Sequence, residues 1–179
     1  MELNIGGLRI GVDFGCPAVL ALILLAADRH FLLEVLAVCL LHEGGHALAM
    51  WLTGAGLREI RFTGAGMQLR ARTAVISRTA QSLVYLAGPL VNLLCGAVLL
   101  SAAPELAVLH LCMGGFNLLP YRVLDGGALL GLWTDASARP LCLLLTAGLC
   151  AVLLLHRIAN PLLYLMLGYL AAKEWSRRA

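Results

Sequence analysis

The chain has 179 residues, of which 61% are hydrophobic and only 13% are charged. A soluble domain of ordinary composition carries about a quarter charged residues. The composition therefore excludes an ordinary water-soluble fold and predicts a polytopic membrane protein. The net charge of +3 comes from scattered basic residues, so nucleic-acid binding is not indicated.

The apolar runs predict six membrane segments in an all-α polytopic fold. The first segment is marginal in length, and the fourth is expected to be broken near Asn117–Asp125. The six lie at about 14–27, 31–53, 82–102, 105–133, 138–156 and 158–173. If the N-terminus is placed on the cytoplasmic side, most Lys and Arg residues lie on that side of the membrane. This asymmetry predicts that both termini are cytoplasmic.

Residues 57–73 differ from the rest of the chain because apolar and polar side chains alternate there. The alternation runs through Leu57–Phe62 and again through Met67–Arg72, with Gly64 and Gly66 between the two runs. A period of two around a glycine turn predicts a membrane-associated β-hairpin. A solvated basic loop is the alternative. The edge of such a hairpin offers an extended peptide a place to add as a further strand.

The sequence His42-Glu43-Gly44-Gly45-His46 lies inside the second predicted membrane segment. On a helix, residues four apart project from the same face, so the two histidines can share one zinc ion. Glu43 is then placed to act as general base on water at that zinc. Ionisable groups at membrane depth are costly and are usually functional, so motif and location together predict a metal hydrolase.

A catalytic zinc site needs three protein ligands and an open position, and the best third candidate is Asp125. It follows the run Asn117-Leu118-Leu119-Pro120 and precedes two glycines. Proline interrupts a helix, and irregular backbone at membrane depth is tolerated where it lines a cavity. We therefore predict one zinc ion per chain, bound by His42, His46 and Asp125, with Glu43 needed for turnover but not for metal binding.

A further signal is Gly88-Pro89-Leu90-Val91-Asn92 in the third predicted segment. The proline predicts a kink. Asn92 is either a hydrogen-bond partner of the site or a helix-packing residue. The remaining histidines, His30, His110 and His156, lack a partner motif and are not expected to bind metal.

With these three signatures in this order, the chain resembles the site-2 protease family of intramembrane zinc metalloproteases. The basic hairpin around Gly64-Ala65-Gly66 fits between the first two signatures. The resemblance covers essentially the whole chain, which it implies to be a single intramembrane metalloprotease domain. It is closest to the compact six-segment branch that includes the sporulation protease acting on a membrane-tethered pro-sigma factor.

The resemblance implies a zinc endopeptidase that cuts within or near the transmembrane segment of a membrane-tethered protein substrate, that is, regulated intramembrane proteolysis. It implies that Asn92 and Asn117 line the substrate cleft, and it groups Gly64 and Gly66 with the substrate-binding residues. The expected location is the bacterial cytoplasmic membrane, with the lipid bilayer and a regulatory membrane protein as further partners. No nucleotide-sensing CBS domain and no PDZ domain is expected.

One departure from the family pattern lies within the third signature, between its Asn-Leu-Leu-Pro and Leu-Asp-Gly-Gly parts. Family members often have a second proline where this chain has Tyr121-Arg122-Val123, which leaves the substrate preference open. Two other functional classes remain. One is a zinc transporter, and the other is a catalytically inactive family member that acts as a binding protein.

Overall fold

The computed structural model describes residues 2–26, 28–63, 66–73, 76–134, 139–157 and 161–176. Within them, seven helices and four strands follow one another. The chain divides into two compact units, Met1–Phe116 and Asn117–Ala179. Each unit is described by itself.

Within the described residues the first unit contains four helices, two of which begin at a short polar capping side chain. They are α1 (Gly15–Ala26), α2 (Arg29–Leu52), α3 (Arg78–Leu99) and α4 (Pro104–Asn117, whose last residue belongs to the second unit). Asp28 caps α2 by accepting hydrogen bonds from the backbone N–H groups of His30, at 2.8 Å, and Phe31, at 2.9 Å. The bond from Phe31 is the main cause that holds the pKa of Asp28 below its usual value. Ser77 caps α3 in the same way.

A four-stranded sheet completes the first unit. Its strands are β1 (Glu2–Ile5), β2 (Leu8–Val12), β3 (Leu57–Thr63) and β4 (Gly66–Ala71), in the order β1-β2-β3-β4. The outer pairs are antiparallel, and β2 with β3 is parallel. Parallel strands need a crossover connection, which α1 and α2 supply.

The sheet corrects the expectation of a lone hairpin in an otherwise all-α fold. The predicted hairpin is present as β3 and β4, and the N-terminal strands extend it. The turn between β1 and β2 is Gly6-Gly7, with φ of +58° and +88°. A two-residue turn with positive φ at both positions favours glycine and matches the twist of a hairpin. The alternation of Leu3 and Ile5 with polar residues around this Gly-Gly pair is the sequence signal for β1.

The prediction of six membrane segments is not supported. In the described residues, two helices are long and apolar enough to cross a membrane, α2 with 24 residues and α3 with 22. The predicted fourth segment is divided between α4 and α5 (Asp125–Trp133). At 1.5 Å per residue the other helices, of 9 to 17 residues, are shorter than a bilayer core of about 30 Å. Apolar composition alone had overstated their length.

The second unit consists of α5, α6 (Arg139–Leu155) and α7 (Pro161–Ser176), preceded by residues 118–124. Residues 118–124 are the non-helical break that the sequence predicts between Asn117 and Asp125. Its proline cannot donate a helical hydrogen bond, and α5 starts again directly after it.

Candidate metal centre

Two histidine rings of α2 face each other inside the first unit. The Nε2 atoms of His42 and His46 lie 3.2 Å apart, and the ring planes are 82° from parallel. The two residues are 5% and 7% exposed. Two nitrogens that each lie about 2.05 Å from one tetrahedral zinc ion are about 3.3 Å apart. The pair therefore fits two ligands of a single zinc ion.

The backbone of α3 fixes the proton position of His46. Its Nδ1 lies 2.7 Å from the carbonyl oxygen of Val84. A carbonyl can only accept, so the Nδ1–H group of His46 donates this bond and, in the neutral ring, Nε2 carries the lone pair. A histidine that donates its second nitrogen to a carbonyl is held in the form and orientation that binds a metal.

Asn92 of α3 holds the other histidine. Its Nδ2 atom lies 3.2 Å from His42 Nδ1, and its Oδ1 atom lies 3.2 Å from Nδ1 of His110 on α4. Asn92 is fully buried, and His110 is 2% exposed. The asparagine is thus a hydrogen-bond partner of the site, which decides between the two interpretations that its sequence position left open.

Two glycines let α2 and α3 approach closely enough for these bonds. A Cβ atom added to Gly45 would lie 2.7 Å from the carbonyl oxygen of Ala87. A Cβ atom added to Gly88 would overlap the imidazole ring of His46. The Gly-Pro signature therefore contributes the space in which His46 sits. Around Gly44, by contrast, a Cβ atom would meet nothing within 4 Å.

Glu43 and Asn117 are half-buried residues of the helices α2 and α4. Glu43 directly follows His42, and Asn117 is the last residue of its helix. In the hairpin, Gly66 begins β4 with a φ of +116°. The other predicted hairpin glycine, Gly64, lies outside the described residues.

Asp125 is the half-buried first residue of α5 in the second unit. The loop before it folds back on α5, because Cβ atoms on Gly126 and Gly127 would overlap the carbonyl groups of Leu118 and Tyr121. Those carbonyls belong to residues 118–124. The two glycines of this signature therefore set the path by which the chain reaches Asp125.

The side chains of α6 and α7 anchor the same loop. The fully buried Tyr121 donates its hydroxyl to the carbonyl of Cys142, at 3.1 Å, and also lies 2.7 Å from Thr146 Oγ1. Glu174, 4% exposed, accepts a bond of 3.3 Å from the backbone N–H of Arg122. Its second oxygen lies 3.6 Å from Arg122 Nε. Arg122 thus pairs with a buried carboxylate within its own unit.

A second polar cluster lies on the sheet and is charged. Arg61 lies 2.8 Å from Glu59, 3.4 Å from Glu2 and 3.6 Å from Asp13, and Arg70 lies 3.5 Å from Glu59. The hydrogen bond from Arg61 is the main cause that lowers the pKa of Glu59 below its usual value. The same bond raises the pKa of Arg61.

Sequence reasoning predicted His42, His46 and Asn92 as site residues, and the three lie together in the first unit. It missed His110 and the carbonyl of Val84. A backbone carbonyl carries no sequence signal. His110 did carry one, because a lone histidine in an apolar helix needs a buried partner.

The fold and the site define a class: a mostly helical protein with two candidate membrane-spanning helices in the part of the chain that the structure describes, and with a buried histidine pair suited to one metal ion. No known family model matches the chain, and no curated protein does. Among solved structures, it is similar to the site-2 protease from Methanocaldococcus jannaschii, with a TM-score of 0.65 and 22% identity, over 100% of this chain and 96% of that one. The chain therefore has the fold of a site-2 protease, and the resemblance drawn from its motifs is confirmed at this level.

Proposed function

We propose that the protein is an intramembrane zinc endopeptidase of the site-2 protease type. The observation that carries the proposal is the buried pair of His42 and His46, whose Nε2 atoms lie 3.2 Å apart in an H-E-x-x-H helix. The site-2 protease fold agrees with it. The motif, the ligand spacing and the fold are three separate observations that favour the same chemistry.

The outward faces of α2 and α3 support a location inside a lipid bilayer. Towards the middle of the two helices, His42, His46 and Asn92 are buried while many apolar side chains are exposed, the reverse of a soluble helix. The exposed side chains are Leu40, Leu48 and Trp51 on α2 and Leu90, Leu94 and Val98 on α3. An apolar surface of this kind is unfavourable in water and favourable in hydrocarbon. Several crossings and cytoplasmic termini in a bacterial membrane belong to the same proposal.

Asp125 is proposed as the third ligand. A carboxylate oxygen is a normal zinc ligand beside two imidazoles. The residue begins a helix after an irregular loop, within an apolar part of the chain, where an aspartate without a function is unfavourable. The contacts of Tyr121 and Glu174 hold that loop in place.

A zinc ion in this site supplies a Lewis acid that acidifies water and polarises the scissile carbonyl. Glu43 accepts a proton from the attacking water and passes it to the leaving amine nitrogen. His46 and His42 are held for ligation by the Val84 carbonyl and by Asn92. Asn117 and the hairpin residues Gly64 and Gly66 are proposed to contact the substrate.

The proposed substrate is a membrane-tethered protein, cut within or near its transmembrane segment. The strand β4 lies at one edge of the sheet. An edge strand can bind an extended peptide through main-chain hydrogen bonds, which suits a substrate whose helix must unwind before cleavage. Regulation by a membrane partner is part of the proposal.

The test begins with the metal content of the detergent-purified protein, measured by elemental analysis for wild type, Glu43→Gln and Asp125→Ala. We expect about one zinc per chain in the first two and its loss in the third, because Asp125 is a proposed ligand and Glu43 is not. Cleavage is then measured in proteoliposomes on a pool of fluorescently labelled single-span peptides. We expect wild type to cut and Glu43→Gln to be slower by a factor of at least about 10².

The outcomes separate the functional classes. Zinc binding with no cleavage by wild type contradicts the protease and favours a binding protein. Zinc flux into the same proteoliposomes, unaffected by Glu43→Gln, favours a transporter. Wild-type protein that binds no zinc contradicts both the metal site and the chemistry.

A further inference from the structure

A histidine of α4, outside every signature of the sequence, is joined to a proposed metal ligand. His110 Nδ1 lies 3.2 Å from Asn92 Oδ1, and Asn92 Nδ2 lies 3.2 Å from His42 Nδ1. The three residues are 2%, 0% and 5% exposed. Water has little access to replace any of these bonds, so the three side chains form one connected chain of hydrogen bonds.

This chain of hydrogen bonds continues from His42 through His46 to the carbonyl of Val84. The last bond sets which atoms donate and which accept. With both rings neutral, the Nδ1–H of His46 donates to the carbonyl of Val84, so its Nε2 accepts. Its neighbour at 3.2 Å, His42 Nε2, therefore carries a proton. The Nδ1 of His42 then accepts from the Asn92 amide, and the Oδ1 of Asn92 accepts from the Nδ1–H of His110. In this arrangement each of the hydrogen bonds from His110 to Val84 has one donor and one acceptor.

A zinc-binding His42 needs the opposite arrangement. Its Nε2 must present a lone pair to the metal, so the proton of the neutral ring lies on Nδ1 and must be accepted. A half-turn of the Asn92 amide presents Oδ1 to His42 and the NH₂ group to His110. After this half-turn the Asn92 NH₂ group points at His110 Nδ1, which donated a bond before. The bond to His110 is kept only if His110 Nδ1 changes from donor to acceptor. A histidine can do so, since a neutral ring carries its proton on either nitrogen.

The packing of α3 against α4 brings His110 within reach. A Cβ atom on Gly96 would lie 2.6 Å from Leu111, and one on Gly114 would lie 2.9 Å from the carbonyl oxygen of Pro89. Small residues at these positions allow the two helices to approach closely. The bond between His110 and Asn92 is therefore built into the helix contact.

We propose that His110 is a positioning residue that acts through Asn92 to set the proton position of His42 and so the affinity of the site for zinc. The proposal rests on one part of the proposed function, namely that the site binds zinc. It assigns His110 no contact with metal or substrate.

The test is the zinc affinity of the detergent-purified full chain, measured by competition with a chromophoric chelator. His110→Leu removes the bond at similar volume, and we expect zinc to bind about tenfold more weakly, as for other partners of metal ligands. His110→Asn offers an amide where Nδ1 stood, and we expect an affinity within about threefold of wild type. His110→Gln, whose amide lies farther out, should resemble His110→Leu.

A double-mutant cycle separates positioning from general loosening. If His110 acts through Asn92, then Asn92→Leu with His110→Leu binds zinc no more weakly than Asn92→Leu alone. The matched control is Val38→Ala, which opens a cavity on α2 one turn before His42, at a residue 1% exposed. It should lower the unfolding temperature and leave the zinc affinity within about twofold of wild type.

Three results would overturn the proposal while leaving the zinc site intact. They are a His110→Leu affinity within about twofold of wild type, additive losses in the cycle, and equal losses in His110→Asn and His110→Leu. Wild-type protein that binds no zinc would overturn the proposed function as well, so the two failures are distinguishable.

Discussion

The first unit contains two polar networks. Polar groups are paired by hydrogen bonds between neutral side chains in one and by ion pairs in the other. One is the histidine–asparagine chain between α2, α3 and α4, made of Val84, His46, His42, Asn92 and His110. The other is the charged cluster on the sheet, made of Glu2, Asp13, Glu59, Arg61 and Arg70. The first can be drawn with neutral groups throughout, whereas the second consists of ions.

The two networks differ in what can replace a hydrogen bond or ion pair when one of its partners is removed. In the sheet cluster, the side chains of Arg61, Asp13 and Glu2 are 32%, 50% and 73% exposed, whereas that of Glu59 is 11% exposed. Around the exposed members, water or another ion takes the place of a missing partner. Exposed ion pairs of this kind contribute little to stability. In the histidine–asparagine chain, a missing partner leaves a buried polar atom without a hydrogen bond, which is far more costly. Precise placement of metal ligands depends on the second kind of network.

The largest expected effect comes from filling the space of His46. In Gly88→Ala the new methyl group overlaps the imidazole ring, so the ring must leave the position where it bonds Val84. We expect zinc affinity to fall at least about a hundredfold, measured by the chelator competition described above. Gly44→Ala is the matched control, since its Cβ meets nothing within 4 Å. Wild-type affinity in Gly88→Ala would show that the observed ring position is not needed for binding.

A smaller effect is expected from removing the centre of the histidine–asparagine chain. Asn92→Leu leaves the Nδ1 atoms of His42 and His110 without their partner, and each unsatisfied group is expected to lower the free energy of unfolding by about 1–3 kcal/mol. The measurement is unfolding of the metal-free protein in detergent. Adding His110→Leu to Asn92→Leu should restore part of the loss, because one unsatisfied group is then gone. A double variant less stable than Asn92→Leu would contradict this account.

The smallest effect is expected at the sheet cluster, and it depends on pH. The pKa of Glu59 is lowered in the folded protein from its usual 4.5, so its ionised form stabilises the fold above that value. This contribution is lost as the pH falls through the lowered pKa. Glu59→Gln should therefore be slightly less stable than wild type at pH 7, and the difference should shrink below pH ~4.5. Unfolding temperatures at both pH values measure it, and a difference that grows in acid would contradict the ion pairs.

Several features could be predicted from the sequence because each depends on local spacing. Four residues between histidines place them on one face of a helix, and alternation around glycine predicted β3 and β4. Proline after Asn117 predicted the break before Asp125. The number of membrane-crossing helices could not be predicted in this way, because apolar composition does not say where a helix ends.

The sequence by itself determined the ligand pair on α2, because the geometry of a single helix follows from residue spacing alone. Only the tertiary structure decided what holds those ligands. The carbonyl of Val84 meets His46 across 38 residues of chain, and the amide of Asn92 meets His42 across 50. The ring of His110 meets Asn92 across 18. Such meetings depend on how closely helices pack, which Gly45, Gly88 and Gly96 allow but no local pattern specifies. The parallel pairing of β2 with β3 is set in the same way, by the path of α1 and α2 between them.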